Sequence, residues 1–418
     1  MSDLTSETEQ EPVAVPLLKS RIKYTLVETD SALQLVIHDI IESGEALAVD
    51  AERASGFRYG QRAYLVQVGI KNQAIYLVDP VAKFSSDLWQ EFAAAMSSKA
   101  WIIHAASQDI PCLTEIGITP SQVFDTELGS RLLGLPRVSL GTITEHYLLL
   151  KLAKEHSAVD WSERPLRLEW LEYAALDVDV LHELWSAVEE DLEANSKLDI
   201  AFEEFASLVN QEPKPIKQDR WRSLTGLHEL KDSRSLTIAK ALWDAREELA
   251  IEKDIAPGRL IPDLAIVAAV KAAPKSKSEL TSLKTFNGRA SRSYIDTWWD
   301  AYTVGTNTKS LVEIRVKASG IPNHRNWPLK FPDANSRLIA SKAAIALVSE
   351  SKRIPPENLL SPEILRAICF EPPVPIDTDE ISMFLRSKRA REWQIDSVAP
   401  LLLSSLQVES KQKSEDSE

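Results

Sequence analysis

Asp50 and Glu52 stand on either side of one alanine at the end of the apolar run LAV. In a strand, residues i and i+2 share a face, so both carboxylates leave the strand end together. Two adjacent anions repel, and burying them unpaired is costly. A divalent cation removes that cost. Asp109 closes the segment HAASQD, where the strand-like run AWIIHAA gives way to a helix. Tyr173 and Asp177 are four residues apart in a helical run, which places phenol and carboxylate about one turn apart on one helix face. Taken singly, each has an ordinary explanation: an exposed strand end, a first-turn Asp favoured by the helix dipole, a half-buried Tyr beside a solvated Asp. In this order, the four carboxylates can converge at one end of a sheet. Such a cluster suits two divalent metal ions, Mg²⁺ or Mn²⁺, which prefer carboxylate oxygens. Two ions ~3.5–4 Å apart stabilise the attacking and leaving oxygens of an in-line phosphoryl displacement. Tyr173 would orient the attacking water rather than act as a strong base, because a phenol's pKa is near 10.

The elements around these residues alternate. GEALAVDAE, AYLVQVGI and AIYLVDP read as three short strands in a meander. SSDLWQEFAAAMSS has helical spacing, AWIIHAA is a buried strand, and SQDIPCLTEIGI is a short helix with Ser107 as its N-cap. VFDTELGSRLLG starts as a strand and continues as a helix. SLGTITEHYLLLKLAKE and the stretch from Arg167 to about Asn195 read as helical. This pattern predicts an α/β domain, a mixed sheet flanked by helices. Residues 1–20 read as a disordered lead-in, 21–206 as the α/β domain and 207–219, LVNQEPKPIKQD, as a linker. Beyond it the strand signal fades. Two all-α bundles are expected, over 220–303 and 304–405, sharing a coarse pattern of a long helix, a proline-bearing loop and short helices. Residues 406–418 read as a disordered tail.

The chain has 418 residues and a net charge of -14, unevenly spread. Residues 1–213 carry 16 Lys+Arg against 35 Asp+Glu, whereas 214–395 carry 30 against 22. An acidic half followed by a basic half suggests that one part concentrates cations and the other holds phosphates. No apolar run approaches the ~20 residues of a membrane span, and the polar N-terminus is not a secretory signal. Cys112 and Cys369 are far apart, with no metal-ligand spacing, which fits reduced thiols and a cytoplasmic protein.

LAVDAE, HAASQD and YAALD resemble the three exonuclease motifs of the DEDD superfamily. The connecting SLGTITEHYLLL, VDWSERPL and LEYAALDVDVL look like ribonuclease D, and the resemblance covers roughly residues 22–205. The histidine subclass would have His at position 172, which is Glu172 here, so Tyr173 makes this the tyrosine subclass. The resemblance implies a ribonuclease H-like fold and 3′→5′ hydrolysis that releases nucleoside 5′-monophosphates. It maps Asp50, Glu52, Asp109 and Asp177 onto the metal ligands and Tyr173 onto the water-orienting residue. The segment RASGFRYGQRAYLVQVG after Glu52 departs from the family in its Gly and Arg content. Residues from GLHELKDSRS to KSKSEL resemble the HRDC domain, a helical nucleic-acid-binding module, and the last bundle looks like a second, divergent copy.

Weaker candidates for substrate contact are Gln67 and His104 in the strands, and Lys275, Lys277 and Arg289 in the basic half. Lys231, Arg234, Lys240, Arg246, Arg259, Lys284 and Arg292 could also track phosphates. Trp298-Trp299 could stack on bases, although core packing suits at least one of them better. Three functions remain open at this point: an exoribonuclease acting on tRNA precursors or other structured RNA 3′ ends, a DNA-directed 3′→5′ exonuclease, and a catalytically inactive nucleic-acid-binding scaffold.

Overall fold

The structure is a computed structural model that describes residues 13–153, 159–210, 218–314 and 320–408. Its first unit carries strands β1 (Val15–Leu17), β2 (Tyr24–Val27), β3 (Leu47–Arg53), β4 (Ala63–Ile70), β5 (Ala74–Val78), β6 (Ala100–Ile103), β7 (Gln122–Asp125) and β8 (Leu150–Leu152). Between and after them run helices α1 (Asp30–Glu42), α2 (Ser86–Ser97), α3 (Ala106–Thr114), α4 (Thr126–Leu132), α5 (Leu140–Leu148), α6 (Leu168–Asp179), α7 (Leu181–Ala194) and α8 (Leu198–Val209).

Six strands form one mixed sheet in the order β2-β5-β4-β3-β6-β7. The meander β3-β4-β5 is antiparallel, while β6 and β7 continue parallel to β3. Alternation along the strands sorts the core into two layers. Val49, Ala51, Val66 and Val68 face Val36, Ile40 and Phe92 of α1 and α2. Ala48, Leu65 and Leu77 face Trp170, Ala174 and Val178 of α6. Asp50 and Glu52 share the second face. Gly69 lets α6 come close to the sheet: a Cβ there would sit 3.1 Å from the Ala48 Cβ and 3.7 Å from the Val178 Cβ. That close approach fixes the height of Asp177, one residue before Val178.

Four local readings change. Part of the expected lead-in forms a strand, because β1 pairs in parallel with β8 from Val15 to Leu17. Arg21 then ties the segment down, donating from Nε to Asp179 Oδ1 at 2.8 Å. The helix does not continue through LLKL, residues 149–152. α5 ends at Leu149 in the left-handed region (φ 54), and the next three residues are the strand that β1 requires. Ser107 is not an N-cap, since α3 starts at Ala106 after a left-handed Ala105 (φ 64). The linker is shorter than expected at its start, because α8 runs to Val209; 211–217 lie outside the described residues, as do 1–12 and 409–418 of the expected lead-in and tail.

The basic half is helical throughout its described residues: α9 (Ser233–Lys253), α10 (Pro257–Leu260), α11 (Asp263–Ala272), α12 (Lys277–Ser282), α13 (Arg289–Ser293) and α14 (Ile295–Asn307), then α15 (Trp327–Lys330), α16 (Pro332–Lys352), α17 (Pro356–Leu359), α18 (Pro362–Phe370), α19 (Thr378–Ser387) and α20 (Glu392–Leu406). α14 continues four residues past the boundary expected at 303. The two bundles repeat one plan. α9 and α16 each have 21 residues and end at a left-handed residue, Asp254 or Arg353. Each is followed at the same spacing by a four-residue helix starting at proline. Buried positions correspond, with Ala239, Leu260 and Ile261 in one unit matching Leu338, Leu359 and Leu360 in the other.

Both bundles are fastened to the α/β unit. Glu204 of α8, 4% exposed, takes a bidentate pair from Arg391 (2.6 Å twice) and the Trp393 indole N–H (2.8 Å). On the other side, Asp254 accepts from Tyr59 N (3.1 Å), Gly60 N (3.1 Å) and the Tyr64 hydroxyl (3.2 Å). Arg259 donates to Gly56 O at 2.6 Å and covers the Phe57 ring. The Gly- and Arg-rich segment after Glu52 is therefore clamped by α9 and α10. Asp254→Ala leaves three donors without their acceptor, and should cost about 1–3 kcal/mol. A fall in the urea midpoint with m unchanged is the expected reading; an unchanged midpoint would show that the clamp carries no stability.

Candidate active site

Three elements bring the carboxylates together at the C-terminal ends of β3 and β6, the edge where α/β sheets bind their ligands. Asp50 and Glu52 come from β3, and Asp177 hangs from α6 above it. Ligand oxygens of these three lie within 4.8 Å of one another. Asp109, in the first turn of α3, reaches the group from the side and shares a hydrogen bond with Asp50. Tyr173, one turn before Asp177, shares a hydrogen bond with it. All five residues singled out by spacing are gathered in one place.

The electrostatics are those of a site short of positive charge. Burial raises the Asp50 pKa to about 6. Burial, then the charges of Asp50, Asp177 and Asp109, push Glu52 well above the usual carboxylate range. Asp109 and Asp177 are raised by burial and then by Asp50. Tyr173 is pushed up by burial and by Asp177, so its proton stays on at neutral pH. The donors are hard oxygens, mutually repelling and close together. This is the set a hard divalent cation satisfies, and the cluster could bind such a metal.

Asp125 is a residue the sequence reading missed. It is 2% exposed and caps α4, accepting from Glu127 N (2.9 Å) and Leu128 N (3.2 Å). It also accepts from Ala105 N (3.0 Å) and Ala106 N (2.9 Å). The last two bonds hold the strained turn that starts α3, and hence Asp109. The signal was present in the sequence as an Asp before a helix, but its second role needs the β6–β7 pairing. Asp125→Ala should cost about 2–4 kcal/mol, since a cap and several bonds to a charged acceptor are lost. Metal affinity should fall with it; a destabilised variant with undiminished metal binding would mean that α3 is placed by other contacts.

The weaker candidates scatter. Gln67 is Asp50's cross-strand partner but is 0% exposed, and neither amide atom has a hydrogen-bond partner. It lies on the same face of the sheet as Asp50, sealed beneath its neighbours. His104 is half-buried, bonded through Nδ1 to the Thr126 hydroxyl (3.0 Å), and burial lowers its pKa to about 4, so it is neutral. Lys275, Lys277 and Arg289 lie exposed on the first bundle, Lys277 paired with Asp296. Arg246 is not a phosphate contact: it is 5% exposed and pairs with Asp263 at 2.8 Å. Arg234 caps α14 through Gly305 O and Thr308 O. Trp298 is core, and Trp299 is half-buried, stacked on Tyr302. Both cysteines are buried and free.

Fold and site together are those of a 3′→5′ exonuclease. The family model described as 3'-5' exonuclease matches residues 24–193, the HRDC domain matches 235–302, and a 3' to 5' exonuclease C-terminal domain matches 320–406. Among curated proteins, ribonuclease D of Bartonella henselae is 24% identical over 374 residues, 87% of this chain and 86% of its own. That of Escherichia coli is 25% identical over 350 residues, 81% and 88% respectively. A solved structure of a protein from Bifidobacterium adolescentis shares 32% identity and a TM-score of 0.83 over 95% of this chain and 100% of its own. Escherichia coli RNase D superposes with a TM-score of 0.66 at 23% identity, over 92% and 99%. The chain belongs to the ribonuclease D family.

Proposed function

We propose that this chain is a 3′→5′ exoribonuclease that hydrolyses the terminal phosphodiester of RNA and releases nucleoside 5′-monophosphates. The observation that carries the reading is the gathering of Asp50, Glu52 and Asp177 within 4.8 Å, with Asp109 bonded to Asp50 and Tyr173 to Asp177. The curated relatives described above bear the name ribonuclease D, and the Escherichia coli structure is titled an exoribonuclease involved in structured RNA processing. Structured RNA 3′ ends, such as those of tRNA precursors, are accordingly the substrates proposed, in the cytoplasm. No helix among the described residues is long and apolar enough to cross a membrane.

In this reading Asp50, Glu52, Asp109 and Asp177 hold two divalent ions, Mg²⁺ or Mn²⁺. Bound there, such ions generate the water nucleophile and offset charge on the attacking and leaving oxygens. The chain's own part is positional. β3 and α6 set three carboxylates, the capped turn at Ala105 sets the fourth, and Tyr173 keeps its proton and orients water by hydrogen bonding. The three-part division, an exonuclease unit, an HRDC unit and a C-terminal HRDC-like unit, belongs to the same proposal.

A DNA-directed exonuclease would use the same site, and the test compares the two directly. Single-stranded RNA and DNA of one sequence, and a tRNA precursor with 3′ extension, are incubated with the full chain and Mn²⁺ or Mg²⁺. RNA should shorten at least tenfold faster than DNA. Equal or faster loss of DNA would overturn the substrate assignment, and no loss of either would overturn the enzyme.

A further inference from the structure

Resting on that reading, we propose that Arg53 is a substrate-binding residue that holds a phosphate of the terminal dinucleotide at the mouth of the carboxylate cluster. Arg53 follows Glu52 directly. In an unbroken strand it would point to the opposite face of the sheet. The pairing of β3 with β4 shifts register between Glu52 and Arg53, and a bulge of this kind re-aims a side chain. Its guanidinium donates to Gln108 Oε1 at 3.4 Å, on the first turn of α3 beside Asp109. Its charge is felt by Asp50, Glu52 and Asp109.

Proximity alone would make Arg53 a counter-ion, but the geometry does not. Other half-buried arginines of this chain grip carboxylates: Arg164 takes Asp79 at 2.6 and 2.7 Å, and Arg391 takes Glu204 at 2.6 Å twice. Arg53 stands beside three of the carboxylates, Asp50, Glu52 and Asp109, and forms an ion pair with none of them among the described residues. One long bond to a neutral amide leaves most of its five N–H donors free, in the planar fork that suits phosphate. Charge arithmetic points the same way. Four carboxylates and two divalent cations cancel, so a further cation is what leaves the site mouth net positive toward a polyanion.

Arg53→Gln and Arg53→Lys test this in the full chain, with thermal melting as the check on folding. A short single-stranded RNA carrying a 5′ fluorophore is titrated in chelator by anisotropy at several salt concentrations. Arg53→Gln should weaken binding about tenfold and reduce the salt slope by about 0.7, the increment for one phosphate of a single strand. Arg53→Lys should recover part of both. Neutralising the last or the penultimate phosphate as a methylphosphonate should cost the natural protein affinity at one of the two positions. The same change should cost Arg53→Gln little, because the partner is already gone. Equal affinity, slope and methylphosphonate sensitivity in Arg53→Gln and the natural protein would overturn the assignment. So would tighter Mn²⁺ binding with unchanged RNA binding, the mark of a mere counter-ion. In either case RNA degradation by the natural protein would persist, whereas an inactive natural protein would instead defeat the exoribonuclease reading.

Discussion

Replacing Asp50 by Asn should slow RNA hydrolysis by on the order of 10³-fold or more, while making the metal-free protein more stable at neutral pH. The first effect follows from losing a carboxylate at the centre of the cluster; a bound ion supplies several kcal/mol of transition-state stabilisation. The second follows from the charges. Asp50 is raised to about 6 by burial, and its anion in turn raises Glu52, Asp109 and Asp177. A carboxyl whose folded pKa lies above its unfolded value supports folding below the unfolded value, near 4. That support is lost as pH rises through the folded value, here about 6 and above. The advantage of Asp50→Asn over the natural chain in chelator should therefore be near zero at pH 4.5 and grow to about 1–3 kcal/mol by pH 8. Urea melts at the two pH values measure it. A variant that is inactive and also less stable at pH 8 would mean that Asp50 has a structural partner.

Metal should likewise stabilise the natural protein, because a bound cation relieves the same repulsion that the mutation removes. A ligand that binds only the folded state stabilises it by RT ln(1 + [L]/Kd), about 2.7 kcal/mol at a hundredfold excess over Kd. Mn²⁺ or Mg²⁺ should therefore raise the melting temperature of the natural protein on the order of 5 °C at pH 8. At pH 5 the shift should shrink, because protons compete for the same oxygens. Asp50→Asn and Asp177→Asn should both lose most of the shift at pH 8. Glu183→Gln, an exposed acid paired with Arg21, is a control that should keep it. A shift of equal size in all four proteins would place the metal elsewhere.

The site was legible in the sequence because its geometry is local. Asp50 and Glu52 need only the period of a strand, and Tyr173 and Asp177 only the period of a helix. The meander was legible for the same reason, from three alternating runs with polar turns. The parts that escaped depend on contacts distant in the chain. β1 and β8 are three-residue strands with no periodic signal, and each exists because the other is there. Asp125 reads as a helix cap, yet its bonds to Ala105 and Ala106 appear only when β6 lies beside β7. Gln67 was placed correctly in its strand, but its burial depends on α6 settling over Gly69. Arg246, Arg234 and Arg259 read as surface cations. Their partners lie 15 to 203 residues away in sequence, and only the packed bundle shows that those charges are already used.

On the proposed function, four carboxylates make this chain a metal-dependent 3′→5′ exoribonuclease. The most direct measurement of this follows a 5′-labelled single-stranded RNA on a sequencing gel, with natural protein and Asp50→Asn, across Mg²⁺ and Mn²⁺ concentrations and in chelator. The expected result is a ladder shortening one nucleotide at a time from the 3′ end, with nucleoside 5′-monophosphates as product. It should require metal and should vanish in Asp50→Asn. Equal activity in natural protein and variant, or shortening that persists in chelator, would contradict it.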